Sequence, residues 1–164
     1  MPDPYPHTGR EAVARLHKRL PFDVSNGIRT EADAIKLAFA EATAALDLLC
    51  TADAVEPAEA VLRDGLTRSL PLPAVGRACL LNDLALCHLH DGRAAEAAGP
   101  LRHALAVLPS APPPSARPAD VGPSGPFACG AWALRTRAQV QLNLCEALLL
   151  SRDLHATLDS AREA

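Results

Sequence analysis

A chain of 164 residues sets one domain as the default, and its 49% apolar content, mostly Ala and Leu, gives that domain a core to bury. Only 3% of residues are aromatic and Val and Ile are few, a balance that favours helices, because strands select β-branched and aromatic side chains. The formal net charge of −3, with both signs interspersed, leaves no basic stripe for nucleic acid, and no apolar run approaches the roughly 18 residues of a membrane span.

Residues 1–29 read as an N-terminal segment carrying one short helix, and 30–164 as the helical domain proper. The opening MPDPYPHTGRE holds prolines and acids where a secretory leader holds an apolar core, so no secretion is expected. Thr8 and Glu11 have the spacing of a capping box, and the helix they start carries Val13, Leu16 and Leu20 on one stripe before Pro21 stops it. The stretch FDVSNGIRT is a loop with Asn26-Gly27 as its turn signal. Thr30 caps the next helix, predicted over 31–50, where Ile35, Phe39, Ala42, Leu46 and Leu49 recur at helical spacing. Another helix is predicted over 57–70, with Pro57 in its first turn and Ala58, Val61, Leu62, Gly65 and Leu66 along it.

From Ala78 to Pro109 the pattern is that of a helical hairpin. Leu81, Leu84, Ala85 and His88 stripe its first helix, and Leu101, Ala104, Leu105 and Leu108 its second. Between them Asp91 ends a helix and Gly92 suits the left-handed conformation of a tight turn. Gly99-Pro100 falls inside the second helix, where an interior proline costs about 3 kcal/mol, so a kink or a late start is expected. Residues 109–127 read as a proline-rich disordered insertion, with seven prolines between Pro109 and Pro126. A spacer between two helical units is the reading preferred over a PxxP ligand. A long helix resumes near Ala128 with Trp132, Arg137, Val140, Leu144, Ala147 and Leu148. After the turn Ser151-Arg152-Asp153, a last helix carries Leu154, Thr157, Leu158 and Ala161, and its pattern breaks off at Ala164 without a cap.

No constellation points to catalysis. GxGxxG, GxxxxGK, HExxH and GxSxG are absent, and no cofactor or metal is expected. His88 and His90 are two residues apart on a helix and diverge, so His88 reads as a packed core histidine. The five cysteines, an odd number without a CxxC pair, fit a reduced, cytoplasmic compartment and read as small buried apolar residues. The pairs Glu31/Asp33 and Glu56/Glu59 read as helix-start acids favoured by the dipole.

The hairpin resembles a tetratricopeptide repeat (TPR), the roughly 34-residue helical unit of an α-solenoid superfamily. Leu81, Leu84, Ala85, Ala97, Leu101, Ala104 and Pro109 match the family's large, large, small, small, large, small and proline positions, and Gly92 falls in its interhelix turn. Leu81, His88, Ala94 and Leu101 stand where the family usually has aromatics. A second, partial match begins near Ala138 with Asn143-Leu144-Cys145, and the two predicted helices before the hairpin resemble a degenerate preceding unit. A narrower likeness, carried by NDLALCHLHDGR and QLNLCEALLLSRD, is to the TPR region of the TRAPP complex subunit 12-like family of vesicle-tethering proteins.

The resemblance implies an all-α fold of antiparallel helical hairpins stacked as a short right-handed superhelix. It implies protein partners: either a non-catalytic adaptor or scaffold, or a structural subunit of an assembly such as a tethering complex. Carried over by position, the partner-binding groove would be lined by Cys79, Asn82, Leu86, Leu89 and His90 from one repeat, and by Gln139, Leu142, Glu146 and Leu149 from the next. The lysine with which chaperone-binding TPR clamps hold a carboxylate is missing, and so apolar a groove suits an amphipathic helix or an extended apolar segment.

Overall fold

The computed structural model describes residues 8–19, 31–68, 72–108, 130–152 and 161–162. Among them are six α-helices and no strand: α1 Gly9–Arg19, α2 Glu31–Ala52, α3 Val55–Thr67, α4 Ala74–His90, α5 Ala94–Val107 and α6 Gly130–Leu150. The expected loop after Pro21, the proline-rich insertion at 109–127 and most of the last expected helix lie outside the described residues.

The boundaries follow local chemistry. At the start of α1 the Glu11 amide donates to Thr8 Oγ1 at 3.3 Å, the forward half of the anticipated capping box. Helix α3 begins at Val55, two residues ahead of expectation, which leaves Pro57 still inside the first turn, where its missing N–H costs nothing. Helix α4 starts at Ala74, four residues earlier than expected, directly after Pro73, whose extended backbone (φ −55°, ψ 147°) forms the cap. Helix α5 corrects the expected late start, because it runs from Ala94 through Pro100 to Val107. The carbonyl deprived of its partner belongs to exposed Glu96, and Gly99 is exposed too, so water can take the place of the lost hydrogen bond.

The α4–α5 turn is closed by main-chain bonds from Gly92 N to Leu89 O (3.0 Å) and from Arg93 N to His88 O (2.8 Å). Gly92 has φ +71°, the left-handed region that a Cβ makes costly. Glu59, read from sequence as a helix-start acid, ties this turn to α3 instead. It accepts hydrogen bonds from Arg93 and from Arg63 (2.9 Å) and lies 3.3 Å from Nδ1 of buried His88. Burial keeps the His88 imidazole below its ordinary pKa, against the upward pull of Glu59.

The helices pack in sequence. α4 lies most extensively on α5 and α5 on α6, α2 packs on both α3 and α4, α3 also meets α4, and α1 rests on α3. Two apolar clusters result. The first joins Ala12, Ala42, Leu48, Val61 and Leu62 to Leu80, Leu84 and Cys87 of α4. The second joins Ala78, Leu81 and Ala85 of α4 to Ala97, Leu101, Ala104, Val140, Leu144 and Ala147. Ala85, Ala97 and Ala104 are fully buried, as close helix approach requires.

Gly65 of α3 marks another close approach. A Cβ there would lie 2.5 Å from Glu41 Oε2 and 3.0 Å from Leu80 Cδ1. Glu41 is 1% exposed and paired with Arg68, so it has little room to give way. Gly65→Ala is therefore expected to destabilise by about 1–3 kcal/mol, the overcrowding outweighing a helix-propensity gain of about 1 kcal/mol. Urea unfolding of the variant measures the sign, and a stabilised variant would refute the crowding.

Candidate functional site

Helices α2, α4 and α6 lie side by side, and a cavity of about 310 Å³ opens between them. Phe39, Ala42, Thr43 and Leu46 of α2 form its apolar wall. Cys79, Asn82 and Asp83 line it from α4, and Arg135, Thr136 and Gln139 from α6. The α2 stripe read from the sequence divides here: Leu49 is buried in the first cluster, whereas Phe39 and Leu46 are half-buried against the cavity.

A relay of side-chain amides crosses this site. Gln139 Nε2 donates to Asn143 Oδ1 (3.1 Å), Asn143 Nδ2 to Asn82 Oδ1 (2.8 Å), and Asn82 Nδ2 to Asp83 Oδ1 (3.0 Å). Each bond polarises the next, and the chain of donors ends on a carboxylate. Asn82 and Asn143 are buried and 61 residues apart in sequence, so the relay fixes α4 against α6. Asp83 is 7% exposed; burial pushes its carboxyl up to about 6, partly offset by the hydrogen bond from Asn82.

Neither Cys79 at the cavity nor Cys87 in the first apolar cluster is poised as a nucleophile. Burial, with the Asp83 charge adding to it, pushes Cys79 up to about 11, and burial raises Cys87 to about 12. The expectation that every cysteine is a buried apolar residue needs one correction: Cys50, near the end of α2, is exposed. Cys87 is buried, Cys79 and Cys145 are partly so, and Cys129 lies outside the described residues.

Of the groove residues expected by position, Cys79, Asn82 and Gln139 meet on this cavity. The others lie elsewhere. Leu86 is half-buried, and Leu89 packs against the second apolar cluster. His90 is exposed and hydrogen-bonded at 2.6 Å to Asp53 in the α2–α3 turn. Glu146 is exposed, and Leu142 and Leu149 project from α6 at 63% and 53% exposure. Asp83, Arg135 and Thr136 and the α2 wall also line the cavity and are not among the positions carried over. Asp83 carried one usable signal: a charge within the apolar run of α4 at a position no solvent-facing stripe explains. No protein-family model, curated protein or solved structure matches this chain, so the chemistry of the groove is read from its own residues.

Proposed function

We propose that the chain is a TPR-like, non-catalytic protein–protein interaction module, an adaptor or scaffold that holds a partner segment in the α2–α4–α6 groove. The observation that carries this reading is the packing order. α2, α4 and α6, each the first helix of an expected hairpin, share one groove, while α3 and α5 each pack against the helices preceding and following them in the chain. An apolar wall beside buried amides and a carboxylate suits an amphipathic helix or extended segment that brings apolar side chains and a hydrogen-bond donor. The high thiol pKa values of Cys79 and Cys87 also favour binding over nucleophilic chemistry.

Thr43 and Gln139 line the groove and are exposed, so replacing both by Arg fills it at the cost of one bond, the outermost of the amide relay, from Gln139 to Asn143 Oδ1. Partners cross-linked to the wild-type full-length chain should be captured at least about tenfold less well by this double variant, a loss of about 1.4 kcal/mol. Unaltered circular dichroism would confirm folding, and equal capture by the folded variant would sink the groove as the binding surface.

A permanent place in an assembly of the TRAPP tethering type is the second reading. Its support is the apolar surface of α6, where Leu134, Leu142, Leu149 and Leu150 are 45–63% exposed. Native-size fractionation of cell extracts separates the two readings: a large, salt-stable particle favours the subunit, and a free monomer the adaptor.

A further inference from the structure

Away from the groove, α1, α2 and α3 converge on a second polar cluster. We propose that His17, Glu41 and Asp64, one from each helix, form a binding site for a divalent transition-metal ion of the zinc class, which fastens α1 to the rest of the fold.

The three side chains offer one ligand atom each, all within 4.8 Å of one another. His17 Nε2 lies 3.7 Å from Asp64 Oδ2. That is beyond hydrogen-bond range and near the separation of about 3.4 Å between two ligands on a tetrahedral ion with bonds of about 2.1 Å. His17 Nε2 and Glu41 Oε2 are both shut off from water, and neither has a hydrogen-bond partner. Glu41 itself is 1% exposed. Arg68 Nη1 in the same cluster is buried without a partner too, but it is a donor; the two acceptors call for an explanation of their own, and a cation that takes their lone pairs supplies one.

The charge count points the same way. The Glu41 and Asp64 carboxylates share a single guanidinium: Arg68 Nη2 donates to Glu41 Oε1 and, at 2.7 Å, to Asp64 Oδ2. With both carboxylates ionised and the imidazole neutral the cluster carries one net negative charge; burial raises the Glu41 carboxyl against the pull of Arg68, and a bound cation would favour its ionised form. Each carboxylate oxygen has two acceptor sites, so Arg68 leaves lone pairs for an ion and acts as the outer partner that orients both carboxylates. Gly65 contributes by lacking a side chain, since a Cβ there would sit 2.5 Å from Glu41 Oε2. The His17 and Asp64 side chains are 34% and 40% exposed, which gives an entry path and room for water to complete the coordination. One imidazole with two carboxylates suits zinc and its neighbours, whereas calcium and magnesium favour all-oxygen shells. The ion would act where apolar contact is thin: among the described side chains of α1, Ala12 is the buried hydrophobic one, and Val13 and Leu16 are only partly covered.

The test titrates the full chain with Zn²⁺ and Co²⁺, by calorimetry and by Co²⁺ absorption, against His17→Ala and Asp64→Asn. One ion per chain is expected, at least about tenfold weaker in each variant, and Zn²⁺ should raise the melting temperature of the wild type only. Equal affinity in both variants, no binding at all, or a thiolate charge-transfer band placing the ion on cysteine would overturn the site. If a variant fails to fold, the His17 imidazole resonances of the wild type decide. They shift on Zn²⁺ addition if the ion binds there and stay fixed if it does not.

Discussion

Leu101→Ala is expected to lower the unfolding free energy by about 2–5 kcal/mol, read from the urea midpoint at unchanged slope. Leu101 has no exposed surface and sits where α4, α5 and α6 meet. Its surroundings place the loss toward the upper end of the range. Ala78, Ala85, Ala97 and Ala104 have no rotamers with which to close over a cavity, so the space left by the leucine stays open. Leu142→Ala is the matched control, because at 63% exposure its removal should change stability by no more than about 0.5 kcal/mol. Similar losses at the two positions would mean that α6 is covered in solution or that the second cluster is loosely packed.

Asp83→Asn is expected to act in the opposite direction and to stabilise the protein at neutral pH by about 2–3 kcal/mol. The folded carboxyl is raised from 3.8 to about 6, and each unit corresponds to about 1.4 kcal/mol. Because the folded state holds this proton more tightly than the unfolded chain, stability falls as pH rises from about 4 to about 6, and the deficit persists above that window. Asparagine keeps an Oδ1 acceptor for Asn82 and carries no charge to desolvate. Urea unfolding of wild type and variant at pH values on either side of the window measures the difference. The variant should gain its advantage only on the alkaline side. A constant difference, or a variant that is less stable throughout, would show that the buried charge is not the cause. Asp83 lines the groove as well, so a partner bringing a donor or a cation to it would narrow the same deficit.

The hairpin from α4 to α5 was the most legible part of the chain. Its small residues at Ala85, Ala97 and Ala104 and its Gly92 turn are local signals, and each is where helix approach or a positive φ requires it. Signals that depend on a distant partner were not legible. Asp83 is buried because Asn82 and the α6 relay receive it, and α6 lies beyond the proline-rich stretch. Glu59 turned from a helix-start acid into a tie between α3, α4 and the α4–α5 turn only once Arg93 and His88 came alongside. The α2 wall of the groove was hidden for a related reason. Phe39 and Leu46 share the spacing of the core residues, and periodicity does not distinguish a face that meets another helix from one that borders a cavity.

Helix α4 has a consequence for how the molecule comes apart. Leu80, Leu84 and Cys87 enter one cluster while Ala78, Leu81 and Ala85 enter the other, so neither half of the core is complete without it. Losing the N-terminal helices would strip one side of α4, and losing α5 and α6 would strip the other, leaving apolar surface bare in both cases. Intermediates of either kind are disfavoured, so a single cooperative unfolding transition is expected, with α4 as the shared member of both halves. Chains built from small helical units otherwise tend to fray one unit at a time from an end. Here the central helix couples the two halves, and a perturbation on one side is felt as lost stability on the other.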